Sequence, residues 1–336
     1  MRMRSELRLL AALIACATLD GPPAAATPDP TEVLKALHRQ DEAVERVGFR
    51  LAAANADLCP GGADAGFSVH TLEQYGPAYR AAAATLFDLG EPPGVMAVAP
   101  SSPADAAGLR EGDGIAAING RASPAPPELP GHSDFARTAE VQGRMVEAAR
   151  SPPMTLVVQR GDKRTELRID PAPACRSLFQ LTPNAGLKGE ADGDYVQVAS
   201  ELVSLAASDD ELAAVLAHEL AHNVLGHRAR MDALHVDRGL LAVLGRNARL
   251  IRATEREADR LGVYLLARAG YDPQKALAYW AKARTATGGL IADPTHPGWT
   301  ERLALVKAEA ERIAAAGVPA GKVPLPADLA AELPGR

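Results

Sequence analysis

Apolar residues recur at helical spacing in some stretches of the chain and in short, broken runs in others. Residues 31–57 carry Leu34, Leu37, Val44, Val47 and Leu51 on one face, entered at Thr31 with Glu32 in the first turn, which predicts an amphipathic helix over 31–58. The pattern then changes. Val95-Met96-Ala97-Val98 and Met154-Thr155-Leu156-Val157-Val158 read as strands, and Thr165-Glu166-Leu167-Arg168-Ile169 alternates as a half-buried strand does. A helix is expected over 134–149. Another opens at Ser208-Asp209-Asp210-Glu211, where acidic residues suit the positive end of the helix dipole, and continues as Leu212 to Asn223. A following helix is expected over 249–268.

Composition narrows the class. The 336 residues are 47% hydrophobic, too apolar for a disordered chain and enough for about two domain cores. The net charge of −6, with no cluster of Lys and Arg, argues against a nucleic-acid partner. Beyond the first twenty residues no apolar run reaches the roughly 18 needed to span a bilayer. At the start, Arg2, Arg4 and Arg8 precede the short run Leu9 to Ala15, the layout of an export signal. The run ends in Leu13-Ile14-Ala15-Cys16, similar to a bacterial lipobox, so 1–16 is expected to be a lipoprotein signal peptide. Cys16 would be lipidated and would anchor the chain to a membrane surface. A signal cut later, near Ala24-Ala25-Ala26, is the alternative. Either implies export, and the expected location is the bacterial periplasm. In such a compartment Cys59 and Cys175 are expected to form a disulfide.

The segment between those cysteines contains Ser102-Pro103-Ala104, Ala107-Gly108-Leu109, Gly112-Asp113-Gly114-Ile115 and Ile118-Asn119-Gly120. Physically this is a short helix ended by glycine, a turn, and a strand closed by a tight Asn-Gly turn. The run resembles the signature of bacterial PDZ domains over about 62–172. The resemblance implies capture of an extended peptide as an added strand beside a helix.

The chemistry begins in the helix after Ser208. His218-Glu219-Leu220-Ala221-His222 places two histidines four apart, stacked on one face about 6 Å apart, a spacing that suits one tetrahedral Zn²⁺. Glu219 lies beside them, where a general base would act on a water. Chance would give roughly 0.02 such matches in a chain of this composition. A third protein ligand is required. The metzincin pattern would put glycine at 225 and histidine at 228, where this chain has Leu225 and Arg228. His227 falls about 140° around an ideal helix from His222 and is expected to cap or pack. The alternative is a carboxylate on the helix over 249–268.

At this point the chain resembles the gluzincin endopeptidases of the HtpX, BepA and CAAX-prenyl protease type. The resemblance covers 176–316. Its motifs are the histidine pair, Glu255-x-x-Ala258-Asp259, Ala269-Gly270-Tyr271-Asp272-Pro273, Thr295-His296-Pro297 with Arg302, and Asn184-Ala185 upstream. It implies an α+β protein: a mostly helical zincin catalytic domain with a small β-element, here carrying an inserted PDZ-like β-rich domain. It implies one Zn²⁺ per chain on His218, His222 and Glu255, with Glu219 as base. Glu255 and Asp259 share a helix face, whereas Glu257 is rotated by about 200° and is expected to be a solvated surface charge. Asp259 would orient a zinc histidine. His296 and Arg302 are candidates for transition-state stabilisation or gating, and Asn184 and Ala185 for a strand that aligns substrate. Residues 317–336 read as a Pro/Ala-rich tail. The function expected is a zinc metalloendopeptidase acting on unfolded or mis-assembled exported or envelope proteins. A PDZ-like chaperone or assembly factor with a structural zinc is the alternative.

Overall fold

A computed structural model describes residues 28–237, 245–288, 296–319 and 321–334. The expected signal peptide and Cys16 lie outside the described residues. Helix α1 (Pro30–Ala54) begins where the Asp29 carboxylate accepts the Thr31 N–H and Pro30 sets the first turn. It bridges two packing regions. Val44, Val47, Leu51 and Ala52 belong to the largest core cluster, while Leu34 packs with Ala83, Phe87 and Leu89 in a small separate one.

The middle of the chain forms β1 (Ala63–Asp64), β2 (Phe67–His70), α2 (Pro77–Leu86), β3 (Gly94–Val98), α3 (Pro103–Ala106), β4 (Gly114–Ile118), β5 (Arg121–Ala122), α4 (Ala136–Ala149), β6 (Met154–Arg160), β7 (Lys163–Ile169) and β8 (Ala172–Pro173). The main sheet runs β2-β3-β4-β6-β7, antiparallel throughout, with β5 hairpinned onto β4. Asn119 and Gly120, both at positive φ, make that hairpin turn. Apolar residues of the sheet meet Val141, Met145 and Ala148 of α4 in a core of their own. The ends of this segment close together twice. β1 pairs with β8, and the sulfurs of Cys59 and Cys175 are bonded, with their Cα atoms 5.0 Å apart.

The remaining chain holds β9 (Leu178–Thr182), β10 (Gly189–Ala191), β11 (Tyr195–Ala199), α5 (Ser200–Leu205), α6 (Asp209–Val224), α7 (His227–Ala233), α8 (Gly245–Arg268), α9 (Pro273–Ala286), α10 (Trp299–Ala316) and α11 (Ala327–Ala331). The three strands pair in the order β10-β11-β9, which leaves β10 at an edge. Helix α6 is the axis of the large core, and every residue from Glu211 to Ala221 is buried. Ser208 caps it by accepting the Glu211 N–H. α8 approaches it closely because Gly262 faces the His218 backbone: a Cβ there would lie 3.1 Å from the His218 nitrogen.

The C-terminal stretch differs from a loose Pro/Ala tail. Val323, Leu329 and Leu333 are buried in the large core, and the Val323 carbonyl accepts from Arg268. Asp328 pairs with Arg260 and Glu332 with Arg230. Three buried apolar side chains and two ion pairs seat this stretch on the helical core.

Candidate metal centre

Helix α6 presents the His218 and His222 rings one turn apart, with their Nε2 atoms 3.3 Å from each other. α8 brings Glu255 against both: Oε2 lies 3.4 Å from His218 Nε2, and Oε1 lies 3.4 Å from His222 Nε2. Ligands bound tetrahedrally to zinc at about 2.0–2.1 Å stand about 3.4 Å apart, so this triangle fits the ion. Burial holds His222 well below its ordinary value, in the neutral form that binds metal. Burial works to raise the Glu255 carboxyl, but the facing His222 and His218 rings hold it well below the usual carboxylate range. For His218, burial is outweighed by Asp259 and Glu255, which push the imidazole up to about 10. Metal binding would therefore release a proton there.

Around the triangle, Asp259 places Oδ1 3.0 Å from His218 Nδ1, and its other oxygen accepts from Arg302 Nε at 2.9 Å. Arg302 also donates to Glu255 at 3.2 Å and lies over the Trp280 ring, 4.7 Å from its centre. This buried guanidinium thus faces two carboxylates that themselves face the metal site. His296 is half-exposed, with Nε2 3.4 Å from Glu255. Glu219 is buried, and burial pushes its carboxyl up to about 7 against the lowering influence of His218. A cleft of about 1030 Å³ opens over these groups, bordered by residues 187–192 on one side and by Trp280, His296 and Trp299 on the other.

Two expectations change, and two features come to light that the sequence did not mark. Asn184 and Ala185 form no strand: Pro183 follows the end of β9, and Asn184 turns at φ 55°. The strand that borders the cleft is β10, which the sequence pattern missed. Its Gly189 packs so closely on Glu219 that a Cβ there would lie 2.3 Å from Oε1. Asn223, also missed, joins this edge to α6; it accepts from the Gly193 N–H and donates to the Tyr195 carbonyl and Ser177.

The other changed expectation concerns His227 and Glu257. α6 ends at Val224 with Leu225 as its cap, and Gly226 takes a left-handed conformation at φ 61°, so the helical rotation from His222 does not carry through to 227. His227 returns to the site, buried, with Nδ1 2.9 Å from His222 Nδ1. Its Nε2 lies 3.1 Å from Glu257 Oε2, which also accepts from Arg230 at 2.5 Å. Glu257 is accordingly a half-buried partner rather than a solvated charge. Gly226 was the visible signal for this break.

Residues 176–310 match the sequence model of peptidase family M48. This segment is a zinc metalloendopeptidase domain. The chain is 32% identical over 144 residues to the mitochondrial metalloendopeptidase OMA1 of Schizosaccharomyces pombe, covering 36% of this chain and 42% of that protein. It is 28% identical over 136 residues to the OMA1 metalloendopeptidase of Saccharomyces cerevisiae, covering 33% of this chain and 39% of that protein. The chain thus spans about two fifths of the length of these curated relatives. Both relatives are mitochondrial by name, which overturns the expected location as a bacterial periplasmic lipoprotein. No helix among the described residues is long and apolar enough to cross a membrane.

Proposed function

We propose that the whole chain is a zinc-dependent endopeptidase that cleaves unfolded or mis-assembled proteins, with residues 62–172 as a PDZ-like module that helps capture them. The observation that carries this reading is the triangle of His218, His222 and Glu255, closed at 3.3–3.4 Å with a buried carboxylate beside it. His218, His222 and Glu255 would hold the zinc, whose chemistry there would be Lewis-acid activation of water, toward a pKa of about 7, and of a peptide carbonyl.

The chain's own residues supply the rest. The Glu219 carboxylate takes the proton of the attacking water and delivers it to the leaving nitrogen, a role suited to a group pushed up to about 7. The free edge of β10 pairs with an extended substrate backbone, a mode that reads main chain more than side chains and therefore suits unfolded polypeptide. Asp259 orients His218, and Arg302 neutralises the carboxylates behind the site. His296 stands at the mouth, able to cover Glu255 or to donate to a developing oxyanion. In the PDZ-like module, β2 is the edge strand of the main sheet and packs beside α4, the arrangement that accepts a peptide strand.

The test is Glu219→Gln, which keeps size and polarity and cannot take the proton. Zinc should remain near one equivalent while casein hydrolysis falls by at least about 10²-fold. Joint loss of zinc and activity, or full retention of activity, would overturn the assignment. A chaperone with a structural zinc would keep its holding activity in this variant and show no chelator-sensitive proteolysis in the wild type.

A further inference from the structure

We propose that His227 and Glu257 are positioning residues for zinc, fixing the tautomer and ring plane of His222 through a hydrogen-bond relay without themselves ligating the metal. This inference rests on the reading of His218, His222 and Glu255 as the ligand set.

The argument is one of proton placement. His222 turns Nε2 toward His218 Nε2 and Glu255, so Nε2 is the atom that meets the metal and must be unprotonated. A neutral ring then carries its proton on Nδ1. The atom opposite, 2.9 Å away, is His227 Nδ1, which can accept only if it is bare. The proton of His227 is thereby assigned to Nε2, where Glu257 Oε2 lies 3.1 Å away to receive it. Arg230 holds Glu257 in place with a second donor, and Glu332 from the C-terminal stretch pairs with the same guanidinium at 3.1 Å. Each donor in the series meets an acceptor, and reversing any one proton would leave two donors or two lone pairs face to face.

The two zinc histidines are therefore held differently. His218 faces a carboxylate, Asp259, directly. His222 faces a neutral imidazole that stands between it and its carboxylate. The placement depends on the left-handed turn at Gly226, which brings α7 back so that His227 points at the end of the helix it has just left. The His222 and His227 rings cross edge-to-face at 82° with centroids 4.8 Å apart, which also restricts rotation of the ligand ring.

The experiment compares zinc affinity, by competition with a chromophoric chelator, and the visible spectrum of the Co²⁺-substituted protein. His227→Leu fills the same space without an acceptor; it should bind zinc about 10–100-fold more weakly and shift the cobalt bands. His227→Asn puts an oxygen near the place of Nδ1 and should recover most of that affinity, which a filler role for His227 would not produce. Glu257→Leu should resemble His227→Leu, and the double variant should be no weaker than either alone. A folded His227→Leu protein with wild-type affinity and cobalt spectrum would overturn the proposal, as would a His227→Asn protein as weak as His227→Leu. Should His227→Leu fail to fold, Glu257→Leu decides: unchanged affinity there refutes the relay. Failure of the underlying metal assignment is read separately, because only then would Glu255→Ala also leave zinc affinity unchanged.

Discussion

Gly189→Ala asks whether Glu219, the proposed general base, is set by the edge strand it touches. The added methyl would sit 2.3 Å from Glu219 Oε1 and 2.9 Å from Cδ, where van der Waals contact needs about 3.5 Å. Either Glu219 recedes by about 1 Å or β10 is pushed outward by a similar amount. Glu219 is buried and sits between two metal ligands along α6, so its carboxylate is the softer element only through its own side-chain torsions. A displacement of that size in a reacting group costs about 10²-fold, or about 2.7 kcal/mol in the barrier. The ligand triangle is built from α6 and α8 and includes no atom of β10, so zinc content should not change. The assay is kcat and KM on an internally quenched peptide, with zinc measured by elemental analysis and folding by thermal melting. The expected pattern is a fall of about 10²-fold in kcat with zinc near one equivalent. A variant with kcat within twofold of wild type would refute the close packing of Gly189 on the base.

Arg302→Ala would leave the Asp259 and Glu255 carboxylates without the cation between them, a loss expected to destabilise by about 3–5 kcal/mol; a melting temperature equal to wild type would contradict it. Reduction of the Cys59–Cys175 bond opens a loop of 116 residues and should lower stability by up to about 4.8 kcal/mol, read as a shift of the denaturant midpoint absent in a Cys59→Ser, Cys175→Ser double variant. Burial, and then the charge of Asp64, hold the Glu45 carboxyl well above the usual carboxylate range. A group held protonated by the fold contributes stability below the ordinary carboxylate pKa, and this is lost as pH rises through the raised value. Glu45→Gln should therefore raise the melting temperature at pH 8 more than at pH 5; equal shifts at the two values would remove Glu45 as the cause.

What the sequence determined about this protein is what one element can encode by itself. His218 and His222 face the same way because four residues make one helical turn, and Ser208 with three acidic residues starts that turn wherever the helix packs. The paired faces of Glu255 and Asp259 follow from the same period, as the strand over 165–169 follows from alternation. Tertiary structure decided whatever depends on two elements meeting. Helical geometry sends His227 away from His222, yet the break at Gly226 brings it back within 2.9 Å. Glu257 looks solvated on its own helix and is covered because α7 crosses it. The chain has 29 glycines, and nothing in their spacing marks Gly189 as the one that lies against Glu219. Arg302 and the stretch carrying Val323, Leu329 and Leu333 take their places for the same reason. Periodicity fixes direction within a segment, whereas contact between segments depends on how whole faces pack, and a local pattern carries no coordinate for that.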